Sequence, residues 1–205
     1  FKGKTVNDVA EIWINRCELE GLERASVRAY RSHHNLHIKP RIGDREIALL
    51  TVPELVEFRD ELLADSTPAM VKKVVGSLRS IFGEAVERGI VDRNIARDFK
   101  LPKSSRHDPD KVIPKKVQIK LLLEKVPDRY KAFFYTAIFS GLRASELRGL
   151  RWSNVDLDTK VIQVREKADR FGEFGSPKSK TSRRDVPMGP MLVQVLLEWK
   201  SVCPE

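Results

Sequence analysis

Residues 102–114, PKSSRHDPDKVIP, divide the chain. Proline offers no N–H donor and pushes the residue before it out of the helical region, so three prolines within a charge run, with no apolar period, cannot build a helix or a central strand. That composition suits an exposed connection between two folding units. At 205 residues there is enough chain for each side to bury a core. The expected organisation is a unit over residues 1–101, a linker over 102–114 and a second unit over 115–205.

The first unit reads as helices separated by caps. Thr5 precedes VNDVAEIWINRCELE, in which Val9, Ile12, Trp13 and Cys17 recur at helical spacing. SVRAYRSHHNLHI follows and is expected to end at Pro40 and Gly43. TVPELVEFRDELL starts with Thr51 as N-cap and Pro53 near the first turn. The longest segment, TPAMVKKVVGSLRSIFGEAVERGI, carries a stripe of Val71, Val74, Val75, Leu78, Phe82 and Ala85. Lys72, Gly76, Arg79 and Gly83 make its opposite face, and Gly89 closes it in a left-handed conformation. A short piece around NIARDF completes the unit.

Beyond the linker the texture changes. Two helices, KKVQIKLLLEKV and RYKAFFYTAIFS, lead to a glycine corner and a short helix, ASELRGL. KVIQVRE then alternates with period two, GEFG reads as a turn, and SRRDVPM is a second extended run, so two or three antiparallel strands are expected before PMLVQVLLEWKSV returns to helical spacing. The fold class is mainly α with a small β element: all-helical to about residue 101, mixed α+β from about residue 112.

Charge narrows the partners. Lys and Arg number 38 against 29 Asp and Glu, a formal charge of +9, which favours a polyanion. Residues 1–100 hold 17 basic and 16 acidic side chains, whereas residues 101–205 hold 21 and 13, so the linker and second unit carry the field. Cys17 and Cys203 are isolated, suggesting neither a zinc site nor a disulfide framework and fitting a reducing, cytoplasmic setting. No leader and no long apolar run points to secretion or a membrane. The chain opens on Phe1 and reads as a fragment of a longer protein.

The chemistry concentrates at SGLRASELRGLRW, residues 140–152. Gly141 can adopt the positive φ that stops a helix, and a helix restarting at Ala144 leaves its first amides unpaired beside Arg143. A permanently charged planar fork next to a helix start suits a phosphate, and Glu146, one turn on, can orient it. An arginine and a glutamate three apart also make an ordinary local ion pair. These residues alone leave both accounts open.

GLRASELRGLRWSNVDLD, the extended segments after it and PKSKTSRRDVPM together resemble the tyrosine recombinases, or phage integrases, whose catalytic domain carries a GLR-x-SEL-x-x-LRW-x-x-D-D segment. LRSIFGEAVERGIVDRNIA is similar to the last long helix, and its exit, of that family's SAM-like helical core-binding domain. The resemblance spans nearly the whole chain. It implies a helical core-binding domain followed by the first part of an α+β catalytic domain. Arg143 would be the first catalytic arginine, Glu146 its supporting acid and Lys180 the β-hairpin lysine. It further implies site-specific DNA cutting and rejoining through a 3′-phosphotyrosyl link, with neither metal nor nucleotide cofactor, by a homotetramer on two duplex sites. Without a metal, fixed cationic donors must stabilise the charge that grows on the phosphate oxygens, and a lysine can protonate the leaving 5′-oxygen.

The chain departs from the family pattern in lacking an HxxR box: none of His33, His34, His37 and His107 begins one. Tyr30, Tyr130 and Tyr135 sit among apolar neighbours and read as core, as do Trp152 and Trp199, so no nucleophilic tyrosine is identified. The expectation is a chain that binds duplex DNA without cleaving it. The rival is a non-catalytic DNA-binding regulator that kept the clamp and lost the chemistry; a helical protein–protein adaptor fits the concentrated positive charge poorly. Candidate DNA contacts are Arg28 and Arg31 on the second helix, Lys72, Lys73 and Ser77 on the fourth, and Arg183 and Arg184 beside the hairpin lysine. Alternation cannot separate Lys178 from Lys180, which share a face in an extended segment; the resemblance favours Lys180.

Overall fold

The computed structural model describes residues 3–101, 112–176 and 182–203. Most of the expected linker, and both Lys178 and Lys180, lie outside the described residues. The chain divides into two compact units, Phe1–Asp108 and Pro109–Glu205.

The first unit is helical: α1 (Val6–Leu19), α2 (Arg24–His33), α3 (Lys39–Ile42), α4 (Val52–Asp65) and α5 (Pro68–Glu87), with a short 3₁₀ turn at Ile95–Arg97. Its caps follow the sequence. Thr5 Oγ1 accepts the Asp8 N–H (3.2 Å) while the Asp8 carboxylate accepts the Thr5 N–H (2.9 Å), and the Glu54 carboxylate accepts the Thr51 N–H (2.9 Å). Gly89 has φ +65°; its N–H donates to Val86 O and that of Ile90 to Ala85 O, so α5 closes in a Schellman turn.

The apolar stripe of α5 is buried as expected, with Ile81, Ser77 and Glu84 added to it. In α1 the buried face is wider: Ile14 is fully buried and Ile12 only half so, because α1 packs against α2, α3 and α5 at once.

Contrary to the expectation from sequence, Pro40 does not stop the second helix. The helical path passes through a π-helical turn, His34–Ile38, and continues as α3 with Pro40 at its second position. A proline ring crowds the carbonyl four residues back, and a widened turn before it is one way to relieve that contact. The turn buries His34, whose Nε2 lies 2.9 Å from Asn7 Oδ1; burial pushes its pKa below the ordinary histidine value. Gly43 is required by close approach rather than by φ, since a Cβ there would lie 2.4 Å from Asn7 Oδ1 and 2.5 Å from Lys39 O.

The second unit comprises α6 (Lys116–Lys125), α7 (Asp128–Ser140), α8 (Ala144–Arg148), five short strands among the described residues, and α9 (Pro190–Val202). The strands β1 (Val155–Asp156), β2 (Val161–Val164) and β5 (Arg184–Pro187) form an antiparallel sheet in the order β1-β2-β5. Its inner side, Ile162 and Val164, packs with Leu142, Met188, Leu192 and Leu196.

GEFG is not simply a turn, because β4 (Phe174–Gly175) pairs with β3 (Lys167–Ala168). The turn falls earlier, where Asp169 Oδ1 accepts the N–H groups of Phe171 (2.7 Å) and Glu173 (3.0 Å) and Gly172 takes φ +83°. Trp152, Trp199 and Tyr135 pack partly buried against the core, and Tyr30 stacks on Trp13 in the first unit. Tyr130 differs from expectation: it is half-exposed beneath the Arg129 guanidinium.

Candidate nucleic-acid site

The corner after α7 is built in three steps. Ser140 Oγ accepts the Leu142 N–H (3.3 Å), Gly141 turns the chain at φ +63°, and Leu142 is drawn into the core. The backbone is then extended at Arg143 before α8 begins. Two residues past a helix stop, the arginine is mounted on a fixed corner, with its side chain 68% exposed.

Glu146 organises this corner. It is buried, at 4% exposure, yet all its hydrogen-bond partners are donors that favour the charged form. Arg184 Nη1 and Nη2 donate to Oε1 (3.0 Å) and Oε2 (2.9 Å); Arg143 Nη1 donates to Oε1 (2.9 Å) and the Arg143 backbone N–H to Oε2 (2.9 Å). The Arg184 fork, ahead of the two Arg143 donors, outweighs burial and lowers the Glu146 pKa to about 2. The carboxylate stays ionised, and Arg143 keeps Nε and Nη2 without a partner among the described residues. Such a guanidinium can offer two donors to one phosphate.

The frame around the corner is tight. A Cβ on Gly149 would lie 2.6 Å from Ala168 N, so β3 rests directly on the end of α8. On the other flank β2 and β5 pair Val164 with Arg184.

The remaining candidates separate. Lys72 and Lys73 are exposed on α5 and Arg183 is exposed before β5. Arg28 is exposed on α2, whereas Arg31 is drawn to Glu18 (3.1 Å) and Glu11 (3.6 Å) of α1. Ser77 is not exposed: it is 4% accessible, and its hydroxyl meets His33 Nδ1 at 2.8 Å, because it lies on the side of α5 that packs against α2. Arg184 likewise spends its fork inward on Glu146. That role was invisible in the sequence, since its partner lies 38 positions away.

Two family models match the chain: the phage integrase central domain over residues 6–101 and the phage integrase family over residues 114–205. The prophage phiRv2 integrase of Mycobacterium tuberculosis is 27% identical over 95% of this chain and 51% of its own length. The ICEBs1 integrase of Bacillus subtilis is 28% identical over 83% of this chain and 48% of its own. The chain thus spans about half the length of the curated relatives it matches. Among solved structures, it is similar to the Tn1549 transposon integrase in complex with transposon right end DNA (TM-score 0.77, 19% identity, covering 97% of this chain and 65% of that one). It is also similar to a lambda integrase dimer bound to a COC′ core site (TM-score 0.74, 17% identity, covering 98% and 55%). At these identities the likeness is one of fold.

Proposed function

The chain belongs to the phage integrase family of tyrosine recombinases, and from that premise we propose that the intact protein cuts and rejoins duplex DNA at specific sites through a 3′-phosphotyrosyl intermediate, as a homotetramer on two sites. Arg143 is the donor to the scissile phosphate, Glu146 the acid that holds it, and Lys180 the proton donor to the leaving 5′-oxygen. Residues 1–101 form the core-binding domain and residues 115–205 the first part of the catalytic domain. Lys72, Lys73, Arg28 and Arg183 contribute phosphate contacts that position the duplex without reading its sequence.

One observation carries the reading: an exposed guanidinium held against a buried, ionised carboxylate on a fixed corner. Surface ion pairs have no need of such a mounting, whereas a donor preorganised for a charge-accumulating phosphate does. The 205 residues contain no HxxR box, so this chain by itself binds DNA without cleaving it.

The test is binding of this chain to duplex DNA over a salt series. Affinity should fall steeply and linearly in log–log form as counterion release is suppressed, and no covalent protein–DNA adduct should form. Salt-independent binding would refute the phosphate contacts, and an adduct would refute the assignment of the nucleophile to another segment.

A further inference from the structure

We propose that Arg184 is a positioning residue that acts through Glu146 on Arg143, and not a contact to nucleic acid. The proposal rests on reading Arg143 as the phosphate ligand. Both oxygens of Glu146 are taken by the two terminal nitrogens of Arg184, at 3.0 and 2.9 Å. A fork on a fork fixes the carboxylate plane, which a single donor does not. Arg143 then binds to that plane twice, through Nη1 on Oε1 and through its backbone N–H on Oε2. Main chain and guanidinium of the presented arginine are therefore both referenced to a carboxylate whose orientation Arg184 sets.

Arg184 is itself well anchored. It begins β5 in register with Val164, its carbonyl accepts Arg165 Nη1 at 3.1 Å, and its Nη1 also donates to Ser182 O at 3.2 Å. Its side chain is one-third exposed (33%) against 68% for Arg143, and both of its terminal nitrogens point inward. The adjacent Arg183 is exposed. Two neighbouring arginines thus divide the labour, Arg183 facing outward and Arg184 bracing the corner from the sheet. Because Glu146 sits on α8 and Arg184 on β5, the pair also ties the strand to the short helix that Arg143 caps.

The experiment compares this chain with its Arg184→Gln, Arg184→Lys and Arg183→Gln variants. The Glu146 carboxyl is titrated by carbon-13 NMR, and the order of the Arg143 side chain is read from nitrogen-15 relaxation at Nε. In the parent the carboxyl should titrate near pH 2. Arg184→Gln should raise that midpoint by about one unit or more and loosen Arg143; Arg184→Lys should fall between, because an ammonium keeps the charge and lacks the fork. Arg183→Gln should change neither. On duplex DNA, Arg183→Gln should lower the slope of log affinity against log salt by about 0.9, and Arg184→Gln should leave the slope unchanged.

An unmoved Glu146 midpoint in both Arg184 variants, or an Arg143 side chain as ordered as in the parent, overturns the proposal. So does a lowered salt slope in Arg184→Gln, which would make Arg184 a phosphate contact. If Arg184→Gln does not fold, the Lys variant decides by the same two NMR readings. Failure of the parent chain to bind DNA would refute the proposed function alone, since the Glu146 and Arg143 measurements need no DNA.

Discussion

Each unit buries one glutamate between two arginines, and the two clusters end differently. In the first unit Glu84, 2% exposed on α5, meets Arg88 Nε at 2.6 Å one turn along its own helix and Arg16 Nε of α1 at 2.7 Å. In the second, Glu146 meets Arg143 one turn back and Arg184 across the sheet. Both pair one local arginine with one distant in sequence. The difference lies in what the arginines have left over. Arg16 is also drawn to Glu87 (2.8 Å) and Glu20 (3.7 Å), so its charge is consumed within the domain and the cluster ties α1 to the end of α5. Arg143 meets no second carboxylate among the described residues and presents the rest of its fork outward. Arg88, the local arginine of the first cluster, also meets Glu84 alone among the described residues, but it is less exposed than Arg143 (42% against 68%) and lies at the end of α5, so the first cluster ties two helices together whereas the second mounts a cation on a corner.

The largest effect should separate the two clusters by chemistry. In the full-length recombinase, Arg143→Ala should lower the rate of DNA cleavage by roughly 100- to 1000-fold, as loss of a preorganised oxyanion donor does, while most DNA affinity remains. Arg16→Ala should leave the cleavage step unchanged in single-turnover assays. Equal losses in both would erase the contrast.

Acid should act on the second cluster. The folded Glu146 pKa of about 2 lies below the ordinary value of 4.5, so its contribution to stability is fully present above pH 4.5 and is lost as pH falls toward 2. The linkage amounts to about 3 kcal/mol. Hydrogen exchange in α8 and β5 followed between pH 5 and 2 should register it, and Glu146→Gln should remove that pH dependence. Glu84→Gln should instead destabilise the first unit by about 1 kcal/mol, because it removes the charge shared by Arg16 and Arg88, whose side chains are more than a third exposed and remain solvated; amide exchange in α1 and α5 reports it.

Two glycines give the smaller effects, of opposite sign. Gly149→Ala places a Cβ 2.6 Å from the β3 backbone and should cost about 1–3 kcal/mol in unfolding of the second unit. Gly76→Ala, at an exposed position of α5, meets nothing within 4 Å and should stabilise the first unit by about 0.5–1 kcal/mol, read as a higher denaturant midpoint. Destabilisation by Gly76→Ala would reveal a contact that the helix face does not show.

What the sequence determined by itself was local. Caps at Thr5, Thr51 and Gly89, the stripe of α5, the period-two run of β2 and the corner at Gly141 all depend on residues within a few positions of one another, where propensity and periodicity act. The Arg143–Glu146 contact belongs with them, being three positions apart across the start of one short helix. Tertiary structure alone decided the rest. Ser77 looked like a surface contact until α2 packed against it, and Pro40 looked like a stop until the π turn before it carried the helical path onward. The Arg184–Glu146 pairing, across 38 residues, exists only because β2 pairs with β5 and brings the arginine onto the carboxylate. Those choices depend on which face another element covers and on which charges desolvation brings together. A linear pattern carries no distance between segments, so the role of a long cationic side chain is settled only once its neighbours are in place.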